Sequence, residues 1–91
     1  MKFLMLGKYS LEAIKGIKKE RTRKVISLIE EKNGKIESMF ALLGSYDLAF
    51  LVDFPSVKEA ISTSVEITRR TGISFNSLPA ITVEEFDKLV G

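Results

Sequence analysis

The chain has 91 residues, 45% hydrophobic and 29% charged, with 14 Lys and Arg against 12 Asp and Glu for a net charge of +2. That length closes roughly two-thirds of the unfolded surface, enough for one thin core, so a single domain over residues 1–91 is expected. The absence of Cys and His excludes disulfides, thiolate metal sites, thiol nucleophiles and His-dependent general bases, and the balanced charge makes no demand for a nucleic-acid or membrane partner.

The first segment, Lys2–Tyr9, is apolar on both parities. Phe3, Met5 and Tyr9 point one way and Leu4 and Leu6 the other, as in a strand covered on two sides. Ser10 is a suitable helix N-cap, and Glu12 adds negative charge to the first turn. A helical pattern then runs to about Lys32, with Ile14, Ile17, Val25, Leu28 and Ile29 on one stripe. Gly16 and the polar run Lys18–Lys24 weaken it, so either a continuous helix or a break near residues 16–20 fits. Asn33 and Gly34, which tolerate left-handed backbone, end the helix.

Lys35–Leu43 reads as a second strand, with Ile36, Phe40 and Leu42 on one face and Glu37, Met39, Ala41 and Leu43 on the other. Gly44 and Ser45 turn the chain into a third strand, Asp47–Phe54, antiparallel to the second. Pro55 stops it, and Ser56 with Glu59 forms a capping box for a helix whose apolar stripe is Val57, Ile61, Ser64, Val65 and Thr68. Gly72 ends that helix. Ile73–Leu78 is a fourth strand, and Pro79 places it at a sheet edge. Thr82 and Glu85 form another capping box and open a short helix with Val83, Phe86, Leu89 and Val90 as its apolar side.

The order βαββαβ plus a short C-terminal helix predicts an α+β, ferredoxin-like fold with a four-stranded antiparallel sheet. Right-handed crossovers give the strand order 4-1-3-2, with both long helices on one face. A wet second face would require clean polar alternation, yet Leu4, Leu6, Leu51, Phe54 and their neighbours occupy both parities. The expected cover is the sheet of a second copy, giving a homodimeric α+β barrel.

The hairpin between the second and third strands belongs at the end where the first strand finishes. That topology gathers Tyr9, Gly44, Tyr46, Asp47, Arg69, Arg70, Ser74 and Asn76 around Gly44-Ser45-Tyr46-Asp47. Phenols, a carboxylate and small polar groups beside an apolar wall suit a small polar or anionic molecule. The same motif also reads as an ordinary turn, with Gly and Asp serving the backbone. On a continuous helix Arg21 lies near the centre of the apolar stripe, about 15 Å past the helix start, whereas a kink brings it towards Asp47. An Arg21–Asp47 pair and an Arg snorkelling along the sheet are both open readings. Lys15, Lys18, Lys19, Arg21, Arg23 and Lys24 form a basic run, but no interleaved aromatics accompany it, and a solvated helix face is the simpler meaning. No motif suggests a metal or a cofactor. No apolar run approaches the ~20 residues of a membrane span, and a cytoplasmic chain is expected.

The ordered set of motifs resembles the GYD-domain family. Members share the G-x-Y-D turn, here Gly44 to Asp47, and a Gly-Ile pair, here Gly16 and Ile17, followed by an Arg, matched by Arg21. A Gly-Lys before the second strand (Gly34, Lys35), a Pro after the third (Pro55) and the stretch Ala80 to Phe86 complete the set. Where members have an Asp-Ser-Pro-like break, this chain has Lys18, Lys19 and Glu20. The resemblance implies a ferredoxin-like dimeric barrel and carries no established activity. The turn is also similar to that of the effector-binding domains of feast/famine transcription regulators, although no helix-turn-helix is present.

The leading expectation is a homodimeric binding module that holds a small polar or anionic ligand through Tyr9, Arg21, Gly44, Tyr46, Asp47, Ser74 and Asn76, as a sensor or regulator. The alternatives are a cofactor-independent enzyme of monooxygenase or isomerase type, with Asp47 or a Tyr moving the proton, and a purely structural assembly subunit.

Overall fold

A computed structural model describes residues 1–91. The elements in chain order are β1 (Lys2–Tyr9), α1 (Leu11–Lys15), α2 (Lys19–Glu31), β2 (Lys35–Ala41), β3 (Leu48–Asp53), α3 (Val57–Thr71), β4 (Ile73–Ala80) and α4 (Val83–Val90). The strands form one antiparallel sheet in the order β2-β3-β1-β4, the order expected from right-handed crossovers. Pro79 lies in β4, an edge strand, where its missing N–H does no harm.

The core lies between the sheet and α1, α2 and α3. From β1 it takes Phe3 and Met5, and from β3 Phe50 and Val52, paired across the ladder as Phe3–Val52 and Met5–Phe50. The helices contribute Ala13, Val25, Leu28, Ile29, Ala60 and Ile67. Phe3 and Phe54 meet edge to face, with ring centroids 6.0 Å apart.

The first helical segment is broken. Ser10 Oγ accepts the Ala13 N–H at 3.0 Å and starts α1, which ends at Gly16. Ile17 and Lys18 connect it to α2. The break removes the single stripe expected of a continuous helix: Ile14 and Ile17 are exposed, and Val25, Leu28 and Ile29 alone remain buried. At the end of α2, Asn33 is the left-handed residue, with φ 61°. Gly34 serves a steric need, since a Cβ there would sit 2.6 Å from Ile29 Cγ2 and from Phe54 Cε1.

Two expected faces are corrected. In β2 a bulge between Ile36 and Ser38 inserts one residue and reverses the parity beyond it. Ile36 and Met39 therefore pack on the core, and Phe40, opposite Ala49 on the back of the sheet, is 62% exposed. The displaced Glu37 carboxylate accepts from Lys2 Nζ at 2.6 Å and holds that ammonium above its ordinary value. In α3 the buried residues are Ala60, Thr63 and Ile67; Val57, Ile61 and Val65 are exposed. Small residues let the helix backbone lie close over bulky Phe, Met and Val rows, so volume rather than hydropathy sets its phase. The polar members of the expected stripe serve the edge of the sheet instead. Ser64 Oγ lies 2.9 Å from Ser77 Oγ, and Thr68 Oγ1 donates to the Ile73 carbonyl at 2.8 Å.

Three local details also differ from expectation. The Ser56 hydroxyl accepts the Lys58 N–H and donates to the Glu59 carboxylate in place of the full reciprocal box, and that bond holds Glu59 below its ordinary value. Strand β2 ends at Ala41 rather than Leu43, and β4 runs on to Ala80. The Thr82–Glu85 box forms as expected, but the helix it opens adds nothing to the core: α4 has no buried residue, and Val83 and Leu89 are 75% and 76% exposed. No helix is long and apolar enough to cross a membrane.

The Thr63 hydroxyl is fully buried and has no hydrogen-bond partner. Thr63→Val keeps the shape and removes the orphaned group, so it is expected to stabilise the fold by about 1 kcal/mol. Urea unfolding of the two proteins checks this; a less stable Val variant contradicts it.

Candidate ligand cavity beside the G-x-Y-D turn

The turn, the end of β1 and the start of β4 meet as the topology predicts. Gly44 has φ 139°, a backbone that favours glycine, and a Cβ there would meet no atom. Asp47 stitches the hairpin to β1. Its carboxylate Oδ2 accepts the Tyr9 N–H at 2.8 Å, its own N–H donates to the Gly7 carbonyl, and its carbonyl accepts from Leu42 N–H, both also at 2.8 Å. Lys8 Nζ donates to the Ser45 carbonyl at 3.1 Å. Gly72, left-handed at φ 74°, ends α3 against Ser10; its carbonyl accepts the Ser10 N–H at 3.2 Å.

The seven candidate ligand residues divide between the two sides of the sheet. Tyr9 is on the helix-covered side, with Phe3 and Met5, and packs against the core. Ser74 and Asn76 are on the back, where Ser74 Oγ donates to the Lys8 carbonyl at 3.4 Å and Asn76 Nδ2 donates to the Tyr46 hydroxyl at 3.3 Å. Gly44 and Asp47 serve the backbone of the turn. Arg70 Nε pairs with Glu66 on α3 at 2.8 Å, and Arg69 borders a shallow hollow with Ser74.

Arg21 joins Tyr9 alone. Its guanidinium carbon lies 5.2 Å from the Tyr9 ring centroid, a cation–π contact. No ion pair forms with Asp47, whose Oδ2 is taken by the Tyr9 N–H. The break at Gly16 brings the two together: a Cβ on Gly16 would stand 3.6 Å from Arg21 Nη1, an ordinary contact distance. Arg21 Nη2 is buried and has no hydrogen-bond partner.

Arg21 lines a cavity of about 210 Å³ between α2 and the sheet, at whose mouth Ile17, Lys18 and Thr22 are exposed. Tyr9, Arg21, Lys18 and Thr22 supply its polar groups, and its apolar walls come from Ile17, Val25, Met39, Leu48, Phe50 and Ile73. Ala41 and Leu48, which flank the turn, tie the cavity to it, while Gly44, Tyr46, Asp47, Ser74 and Asn76 lie outside its lining. Sequence reading placed Lys18 only in the basic run and did not point to Thr22 or to the Met39–Leu48 wall. The helix break was the available signal for the first two; the bulge that turns Met39 inward left none.

Asp47→Ala removes a charge-assisted hydrogen bond to a part-buried N–H and is expected to cost about 1.5–3 kcal/mol, while Asp47→Asn, which keeps an acceptor, costs less. Thermal unfolding of the three proteins checks the order; equal loss in both variants contradicts it.

The comparisons with known proteins agree with this architecture. The crystal structure of the leucine response regulatory protein of Mycobacterium tuberculosis superimposes with a TM-score of 0.58 at 11% identity, covering 89% of this chain and 50% of that one. The chain thus spans about half the length of this solved neighbour, and at such identity the likeness concerns the fold. No curated protein sequence matches. The family model described as GYD domain matches residues 3–90, nearly the whole chain. The α+β sheet, the Gly44–Asp47 turn at its end and this match agree: the chain belongs to the GYD-domain family.

Proposed function

We propose that the chain is a ligand-responsive module, a sensor or regulator, that takes up a small anionic molecule in the cavity under α2. One observation carries this reading: Arg21, a half-buried cation with one N–H group left without a partner, lines a largely apolar cavity. Arg21 is half-buried, and an N–H of a charged group withdrawn from water without an acceptor carries a desolvation cost. An anion seated against the guanidinium would offset that penalty through charge-assisted hydrogen bonds, and the apolar walls would cover the rest of the ligand. The fold shared with a protein named as a leucine response regulator supports a regulatory role. Asp47 would be the proton carrier of an enzyme, yet its carboxylate is occupied by the Tyr9 N–H, which favours binding over catalysis.

The module works as a homodimer. Leu4, Leu6, Ala49, Leu51 and Leu78 share the back of the sheet with exposed Phe40, and no helix covers that side. The sheet of a second copy is the cover that the reading supplies, and α4 offers a further apolar face beside it.

Two measurements test the two statements. Small anions screened by thermal shift are expected to stabilise the wild type, and Arg21→Gln is expected to abolish the shift; an unchanged shift in the variant contradicts the site. Sedimentation equilibrium is expected to give a dimer that Leu4→Lys, at the centre of the back face, dissociates; a monomeric wild type contradicts the interface.

A further inference from the structure

We infer that the ligand of this cavity is a monocarboxylate with a compact apolar body and no amino group. The inference rests on the proposed anion-binding role of the same cavity and narrows it to a chemical class.

The first argument is charge. The lining contains two cations, Arg21 and Lys18, and no Asp or Glu. Asp47, the acid just before β3, lies outside the lining and accepts the Tyr9 N–H. Glu20, in the first turn of α2, and Glu12, on α1, are exposed and also lie outside it. The ammonium of an α-amino acid would therefore face a guanidinium or a hydrocarbon wall, with no carboxylate to receive it. An ammonium left unpaired in such a place is strongly disfavoured.

The second argument is geometry. A guanidinium is a planar fork that matches the two oxygens of a carboxylate. Here Tyr9 covers one side of the group at 5.2 Å. Nη2 has no partner within the chain, and Thr22 and Lys18 are further hydrogen-bonding residues of the lining. The planar guanidinium, with Lys18 and Thr22 beside it in the lining, suits the two oxygens of a carboxylate. A phosphate dianion, with more oxygens to satisfy, would meet apolar wall on most sides.

The third argument is size. A volume of about 210 Å³ lies below the several hundred Å³ of drug-sized pockets, which suits a small ligand. Walls of Val25, Leu48, Phe50 and Ile73 suit a branched or flat hydrocarbon of that size.

The test is isothermal titration of the full chain with four probes. They are 4-methylpentanoate, leucine (the same skeleton with an α-amino group), 4-methylpentanamide (the same skeleton without charge) and inorganic phosphate. The acid is expected to bind at least about tenfold more tightly than each of the others, a gap of about 1.4 kcal/mol. Arg21→Gln is expected to lower its affinity by about tenfold or more, and Arg21→Lys, which keeps the charge but loses the fork, to fall between. Amide fingerprint spectra of both variants report whether the fold is intact. Leucine binding as tightly as the acid, with the same dependence on Arg21, overturns the ligand class and leaves the anion site standing. Amide binding as tight as the acid, or no binding of any anion, overturns both.

Discussion

The interruption of the first helical segment at Gly16, Ile17 and Lys18 decides what the turn end of this sheet can do. A straight helix from Leu11 would carry Arg21 about 15 Å along its axis, away from the end of β1. With the chain broken, Arg21 falls in the first turn of α2 and its guanidinium stacks on Tyr9. The same break opens the floor between α2 and the sheet, where a continuous hydrophobic stripe would otherwise pack. Placement of the cation and existence of the cavity thus have one cause. The G-x-Y-D turn acts on the same region from below, because Asp47 ties the hairpin to the Tyr9 backbone and so fixes the ring on which Arg21 rests.

The sheet has two unequal sides. On one, α1, α2 and α3 cover Phe3, Met5, Phe50 and Val52; on the other, Leu4, Leu6 and Leu51 lie with Leu78 and Phe40 and no helix covers them. The Lys2–Glu37 and Met1–Asp53 pairs gather at the end of the sheet far from the turn. This charge segregation leaves the centre of the back face apolar, as a surface between two copies would require. The cavity of Arg21 opens on the helical side, so ligand and partner would act on opposite sides of the same four strands. Strand β1 is common to both, contributing Tyr9 to one and Leu4 and Leu6 to the other.

Much of the fold was legible where local chemistry is decisive. Ser10, Gly72, Pro79 and the Thr82–Glu85 box each require a particular backbone and mark element ends accordingly. The strand order followed from handedness. Legibility failed where one residue shifts a phase. The bulge at Glu37 turns Met39 inward and Phe40 outward, and alternation cannot register an inserted residue in a strand apolar on both parities. In α3, Val57, Ile61 and Val65 look like a core stripe by hydropathy, but the close approach of helix and sheet selects Ala60 and Thr63. The candidate site was legible as a neighbourhood and not as a pocket. Topology gathers Tyr9, Tyr46, Asp47, Ser74 and Asn76, yet the parity of β1 and β4 sends Tyr9 to one side of the sheet and Ser74 and Asn76 to the other. The unpartnered state of Arg21 depends on three-dimensional packing and has no sequence signature.

The central claim is that the Arg21 guanidinium is held ready for a carboxylate. Side-chain NMR of arginine-labelled protein reads this directly. On titration with 4-methylpentanoate, the Arg21 Nη resonances are predicted to shift downfield and to exchange more slowly with water, while those of Arg23, Arg69 and Arg70 stay in place. Arg21 resonances that do not move while the ligand binds elsewhere, or that move no more than those of the exposed arginines, would contradict it.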